Sequence, residues 1–180
     1  MIFRNILLFS LSLFLMGSSP TYIPPIVDEA FNKSSPKQTL KWNLTPTVII
    51  CDHAPISKKE IDSALDWWRN IGYIFYGPYM GGLYNKKCLD DSPVGYILVT
   101  LVSGIDYNHN SLATTKIYSN TNTNEILWSI IELKQGLVKE RVLEHEFGHS
   151  IGWMHTSIKG SMMNRTLPNG GWSSDGLVRE

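Results

Sequence analysis

Sixteen Lys and Arg are matched by sixteen Asp and Glu, and neither sign gathers into a long run. The sequence therefore lacks the footprint of a nucleic-acid binder or of a protein held to an anionic membrane surface. Cysteine is scarce, with only Cys51 and Cys88. Neither sits in the close Cys/His spacing that cysteine zinc sites use. In an oxidising compartment the two could pair with each other; otherwise they are two separate buried thiols. No Cys stands directly after the N-terminal apolar run, which argues against a lipid-attached N-terminus of the bacterial lipoprotein kind. That run, Ile6 to Met16 with serines at 10 and 12, is too short for a comfortable membrane span. No internal repeat is visible.

What is present reads as one exported globular domain. Charged residues are 18% of the chain and apolar ones 43%, a balance that supports a packed core and argues against disorder. Arg4, the apolar run and the small residues Gly17, Ser18 and Ser19 form the pattern of a secretory signal over residues 1–19. An uncleaved anchor is the alternative, and a cut after Ser19 would leave Pro20 at the new end. The expected location is extracellular or periplasmic. Residues 20–41, rich in Pro, Ser, Lys and Thr, read as a linker or short pro-segment without a core of its own. The remaining residues, 42–180, are long enough for a single core.

The coarse pattern is α+β. Thr47 to Asp52 is β-branched and apolar and predicts a strand. Ser57 to Glu60 is a capping-box pattern, and Ile61, Ala64, Leu65 and Trp68 follow at i, i+3, i+4 and i+7, predicting a helix over about 57–70. Residues 77–93, with Gly77, Pro78, Gly81 and Gly82, read as loop. Three strands are expected at Tyr96 to Val102, Leu112 to Tyr118 and Ile126 to Leu133. A long helix is expected from about Leu137 to Ile151, with Val138 and Val142 on the histidine face and Leu143, Phe147 and Ile151 opposite.

The segment that carries chemistry is HEFGHSIGWMH, residues 145–155, which fits H-E-x-x-H-x-x-G-x-x-H at every fixed position. His145 and His149 are four apart, so on a helix both rings leave one face and can share a metal ion. Glu146 lies about 100° round the helix, beside the ion and not on it, where it can take a proton from water. His155 is out of reach if the helix continues. Gly152 just past the helix end can adopt the left-handed conformation and turn the chain back. His145, His149 and His155 then make a three-imidazole zinc site with one position open. The five fixed positions coincide by chance on the order of once in 10⁵ chains of this length.

Together with the residues beyond His155, this motif resembles the metzincin metallopeptidases. That family has a methionine turn beneath the zinc, and GSMMN, Gly160 to Asn164, lies where the turn is expected. The pattern favours Met163 for it, with Met162 as the alternative. KWNLTPTVII, SKKEIDSALDWWRNIG and EILWSIIEL are most similar to the opening strand, first helix and pre-site strand of the matrixin branch. The resemblance implies a zincin-like α+β domain. Its parts are a twisted mixed sheet, a backing helix, a central active-site helix and a small C-terminal subdomain after the glycine turn. It implies a monomeric zinc endopeptidase with one catalytic Zn²⁺, Glu146 as general base, and a protein or peptide substrate laid along the edge strand Leu112 to Tyr118. No nucleic-acid or stable membrane partner is expected.

There are departures. No Cys precedes Cys51 to block the zinc, and the matrixin structural zinc and calcium ligands are not recognisable. Thr156 follows the third histidine where matrixins often have Ser, and Arg165 stands where astacins and serralysins carry a tyrosine. Two rivals remain: a zinc-bearing binding protein that does not cleave, and a zinc amidase acting on cell-wall material. His53 and His109 read as solvated loop residues, and the tryptophans at 67, 68, 128, 153 and 172 as core or cleft wall. Asn32, Asn43 and Asn164 open N-x-[ST] sequons.

Overall fold

A computed structural model describes residues 21–23, 35–82, 85–89, 92–102, 111–136 and 141–179. The expected signal at 1–19, most of the 20–41 segment, His109 and Val138 lie outside the described residues. In chain order the elements are β1 (Thr21–Ile23), β2 (Thr47–Ile50), α1 (Lys58–Arg69), β3 (Tyr76–Met80) and α2 (Asn85–Cys88). They continue with β4 (Tyr96–Leu101), β5 (Ala113–Asn120), β6 (Glu125–Leu133) and α3 (Val142–Ser150). After α3 the chain is irregular apart from isolated bridges and a 3₁₀ turn at Leu167–Asn169. The protein is α+β, with one mixed sheet in the order β1-β5-β6-β4-β2-β3.

The strands β6, β4, β2 and β3 run parallel, with β3 at the end of the order, and β5 runs antiparallel to β6. Strands buried on both faces need continuous apolar runs, and Val48, Ile49 and Ile50 are fully buried in β2. Val48, Ile50, Ile97, Val99, Ile131 and Leu133 pack with α1 and α3 in the main core. Ile49, Cys51 and Leu98 form a smaller cluster on the other face with Cys88 and Ile130. Cys51 and Cys88 are disulfide-bonded, tying the end of β2 to α2.

Helix α1 starts as its sequence predicts. The Ser57 hydroxyl accepts from the Glu60 N–H, and the Glu60 carboxylate accepts from the Ser57 N–H at 2.9 Å, so two free donors are satisfied. Its apolar stripe of Ile61, Ala64, Leu65 and Trp68 is fully buried. The Trp68 indole N–H donates to the Glu144 carbonyl at 2.7 Å, which links α1 to α3.

Three expectations change. Residues 77–93 are not all loop, because β3 and α2 lie there. Among the described residues β3 pairs only with β2, and it exposes Tyr76, Tyr79 and Met80, so it lacks the alternating burial that makes a strand legible. The helix expected over about 137–151 is interrupted at residue 141: α3 covers Val142–Ser150, and residues 137–140 lie outside the described residues. Arg141 has φ 69°, a left-handed conformation that an α-helix cannot contain. The stretch before Trp42 is also more than a linker. β1 pairs antiparallel with β5, and Gln38 and Lys41 bridge to Trp153 and Glu125. As a result β5 is not the outer strand of the sheet.

Candidate metal centre

Helix α3 carries His145 and His149 one turn apart on the side that faces Trp153, His155 and Met162. The helix ends at Ser150, and Gly152 follows with φ +96°. That conformation sends the chain back, as the spacing predicts. The turn is also crowded: a Cβ at residue 152 would fall 1.9 Å from the Leu40 carbonyl oxygen, so only glycine fits. The upstream segment 37–42 clamps this corner. Thr39 N–H donates to Gly152 O at 3.0 Å, Met154 N–H to Lys37 O at 2.9 Å, and the Gln38 amide to Ile151 O at 2.7 Å. The Trp42 indole donates to Ser150 O at 2.9 Å.

The reversal brings His155 beside the helix pair. The three Nε2 atoms form a triangle with sides of 3.1, 3.1 and 3.0 Å. On the far side of two rings, Nδ1 of His145 lies 2.9 Å from Met162 O, and Nδ1 of His149 lies 2.8 Å from Trp153 O. A carbonyl oxygen only accepts, so each of these Nδ1 atoms carries the proton. Neutral rings of that tautomer turn the bare Nε2 lone pairs of His145 and His149 toward each other, with no hydrogen of their own to share. A cation among the three nitrogens would remove that repulsion. A tetrahedral ion with ligands at about 2.0–2.1 Å needs nitrogens roughly 3.3 Å apart, close to what is found. The donor set therefore fits a metal ion, and the carbonyls supply the outer hydrogen bonds that fix ligand orientation.

Two of the three rings, His149 and His155, are held toward the neutral form. Burial, then the charges of His145 and His155, hold His149 well below the ordinary imidazole range. Burial, then the charges of His145 and Arg165, lower His155 to about 4. Glu146 is buried and lies outside the histidine triangle. Burial pushes its carboxyl up from the ordinary value, opposed by the His145 charge and by the hydroxyl of Thr115. Thr115 Oγ1 donates to Glu146 Oε2 at 2.5 Å.

Both methionines of the expected turn are used, in different ways. Met163 is fully buried under α3, and its sulfur approaches Gly148 so closely that a Cβ there would fall 2.3 Å from it. Met162 contributes the carbonyl that holds His145. Thr115, Gln38 and the two carbonyls carry no motif of their own, so the sequence did not single them out. His53 is exposed, as expected for a solvated residue. Asn164 is buried with its amide donating to Ile158 O, which closes that sequon to a glycan. Trp68, Trp128 and Trp153 are buried, whereas Trp172 is 47% exposed. The chain matches no protein-family model and no curated protein.

Proposed function

We propose that the protein is a zinc-dependent endopeptidase of metzincin type, nearest the matrixin branch, exported from the cytoplasm and acting as a monomer on protein or peptide substrates. The observation that carries this reading is the three-imidazole triangle with a buried carboxylate one residue after its first member. Three nitrogen ligands suit Zn²⁺ and leave a position open for chemistry. Zinc at this centre supplies Lewis acidity to water and to a scissile carbonyl.

The chain's own residues account for the rest. Glu146 takes a proton from the attacking water and later delivers it to the leaving amine. Its raised pKa makes it a better base than an exposed carboxylate. Thr115 donates to Oε2, which leaves Oε1 as the carboxylate oxygen to accept the proton. The Met162 and Trp153 carbonyls keep two of the rings aimed at the shared centre. An extended peptide running along β5 would pass Thr115 and reach Glu146. That is recognition by strand addition.

The test is a peptide-library digest by the wild type and by Glu146→Gln, with metal measured on both samples. We expect one zinc per chain in each protein, and activity reduced by at least about 10²-fold in the variant. Undiminished cleavage by Glu146→Gln would remove the base. Zinc without any cleavage would favour a non-cleaving binding protein. Activity only on cell-wall material would favour the amidase.

A further inference from the structure

The strand on which the proposed function lays its substrate already has a neighbour. Thr21, Tyr22 and Ile23 pair antiparallel with Ser119, Tyr118 and Ile117. The inner edge of β5 is taken along its whole length by β6, so its outer edge is the only one left for another chain. One backbone edge pairs with one strand at a time. The register matters as much as the contact. Ile23 pairs with Ile117, and Thr115, the hydrogen-bond partner of Glu146, lies two residues further along the same strand. A peptide added in this direction and continuing past Ile117 comes level with Thr115.

The sequence after β1 is informative. Residues 24 and 25 are both proline, which has no backbone N–H to donate to a sheet. The β1 segment can thus claim the outer end of the edge but supplies no donor for two residues beyond it.

We propose that β1 is a built-in competitor for the outer edge of β5, holding it against incoming extended peptides until the N-terminal segment is displaced or removed. The inference rests on the endopeptidase reading for its consequence and on the β1–β5 pairing for its structure. The occupant is a segment of this same chain, and the ligand it excludes is any peptide able to extend as a β-strand. No pro-segment cysteine is required, because the block is made by the backbone.

The test uses the full chain carrying Tyr22→Pro and Ile23→Pro. Neighbouring residues of an antiparallel strand point their N–H groups in opposite directions, so the pair removes a donor to β5 whichever residue supplies it. Three measurements are made on wild type and variant: hydrogen exchange of the 117–119 amides, binding of a synthetic peptide of residues 21–27, and cleavage of a peptide library. We expect exchange and cleavage each to rise on the order of tenfold. The synthetic peptide should bind the variant, restore protection and suppress the added cleavage. Unchanged exchange would overturn the pairing. Faster exchange with unchanged cleavage, in a protein that cleaves, would overturn the competition. If neither protein cleaves anything, the endopeptidase reading fails on its own. Peptide binding then decides: binding to the variant alone supports the competitor, and equal binding to both proteins overturns it. If the double variant does not fold, replacing Thr21, Tyr22 and Ile23 with glycine weakens the strand without fixing its backbone and carries the same readouts.

Discussion

The hydroxyl of Thr115 reaches both the carboxylate and the carbonyl of Glu146, lying 3.2 Å from the latter. One side chain of β5 thus grips the residue between the two helical histidines and sets its height above the sheet. Thr115→Val keeps the shape and removes the donor. Lost bonds to charged groups are worth about 1.5–3 kcal/mol, so turnover should fall roughly 10- to 100-fold. The acid limb of the pH–rate profile should move to higher pH, because an influence that lowers the carboxyl's pKa is gone. Thr115→Ser should restore most of both. A valine variant with an unmoved acid limb would show that the contact only packs.

Replacing a single ligand tests the metal centre without reference to activity. His149→Ala removes one corner of the triangle and leaves two nitrogens about 3.1 Å apart. Bound metal should drop from one ion per chain to well under half by elemental analysis after dialysis. A chelator should lower the thermal midpoint of the wild type and leave that of the variant almost unchanged, because binding to the native state is what stabilises it. Full metal content in His149→Ala would place the ion elsewhere.

Gly152 and Gly160 make a matched pair for backbone strain. Both have positive φ, +96° and +85°, but only residue 152 is crowded, with Leu40 O 1.9 Å from an added Cβ. Gly160→Ala should cost about 1–2 kcal/mol for its left-handed backbone alone. Gly152→Ala should cost more than about 3 kcal/mol, because the strap at 37–41 must also move, and it should weaken metal binding through His155. Equal losses in denaturant melts would mean that the strap yields freely.

Acid should unfold the metal-free protein in a defined window. In the fold, burial above all holds His149 well below its ordinary value and His155 at about 4. In the unfolded chain both titrate near about 6.5. Between those values the unfolded state takes up protons that the folded state refuses, so stability falls as pH drops. The histidine contribution is complete above about pH 6.5, and the part due to His155 is fully lost below about pH 4. Melts in chelator at pH 7, 6, 5 and 4 should give steadily lower midpoints, with a shallower fall in His155→Gln. A midpoint that does not move between pH 7 and 5 would contradict the depressed values.

Much of this arrangement is legible along the chain, because it depends on local spacing. The capping box at Ser57 and Glu60 and the buried stripe from Ile61 to Trp68 follow from a helical period of 3.6 residues. β2, β4 and β6 are short runs of β-branched and apolar residues. The four-residue spacing of His145 and His149, with a glycine at 152, already states that three rings can meet. Other features have no local signature. β3 is short, carries Gly77 and Pro78 and is largely exposed, so only its pairing with β2 makes it a strand. The start of α3 depends on the backbone of Arg141, which no propensity announces.

Sequence alone therefore determined the chemistry available: which side chains could hold a metal ion, which carboxylate stands beside them, and where the chain must reverse. These are matters of residue type and of the fixed geometry of one helix and one turn. Only the tertiary structure decided what surrounds them. Thr115 on Glu146, Met162 O on His145, the 37–41 strap on Gly152 and β1 on β5 join residues that are far apart in the chain. Hydrogen bonds of this kind place no demand on the neighbouring sequence, since a backbone carbonyl or N–H is present at almost every position. Which of them meet is set by how the helices pack on the sheet.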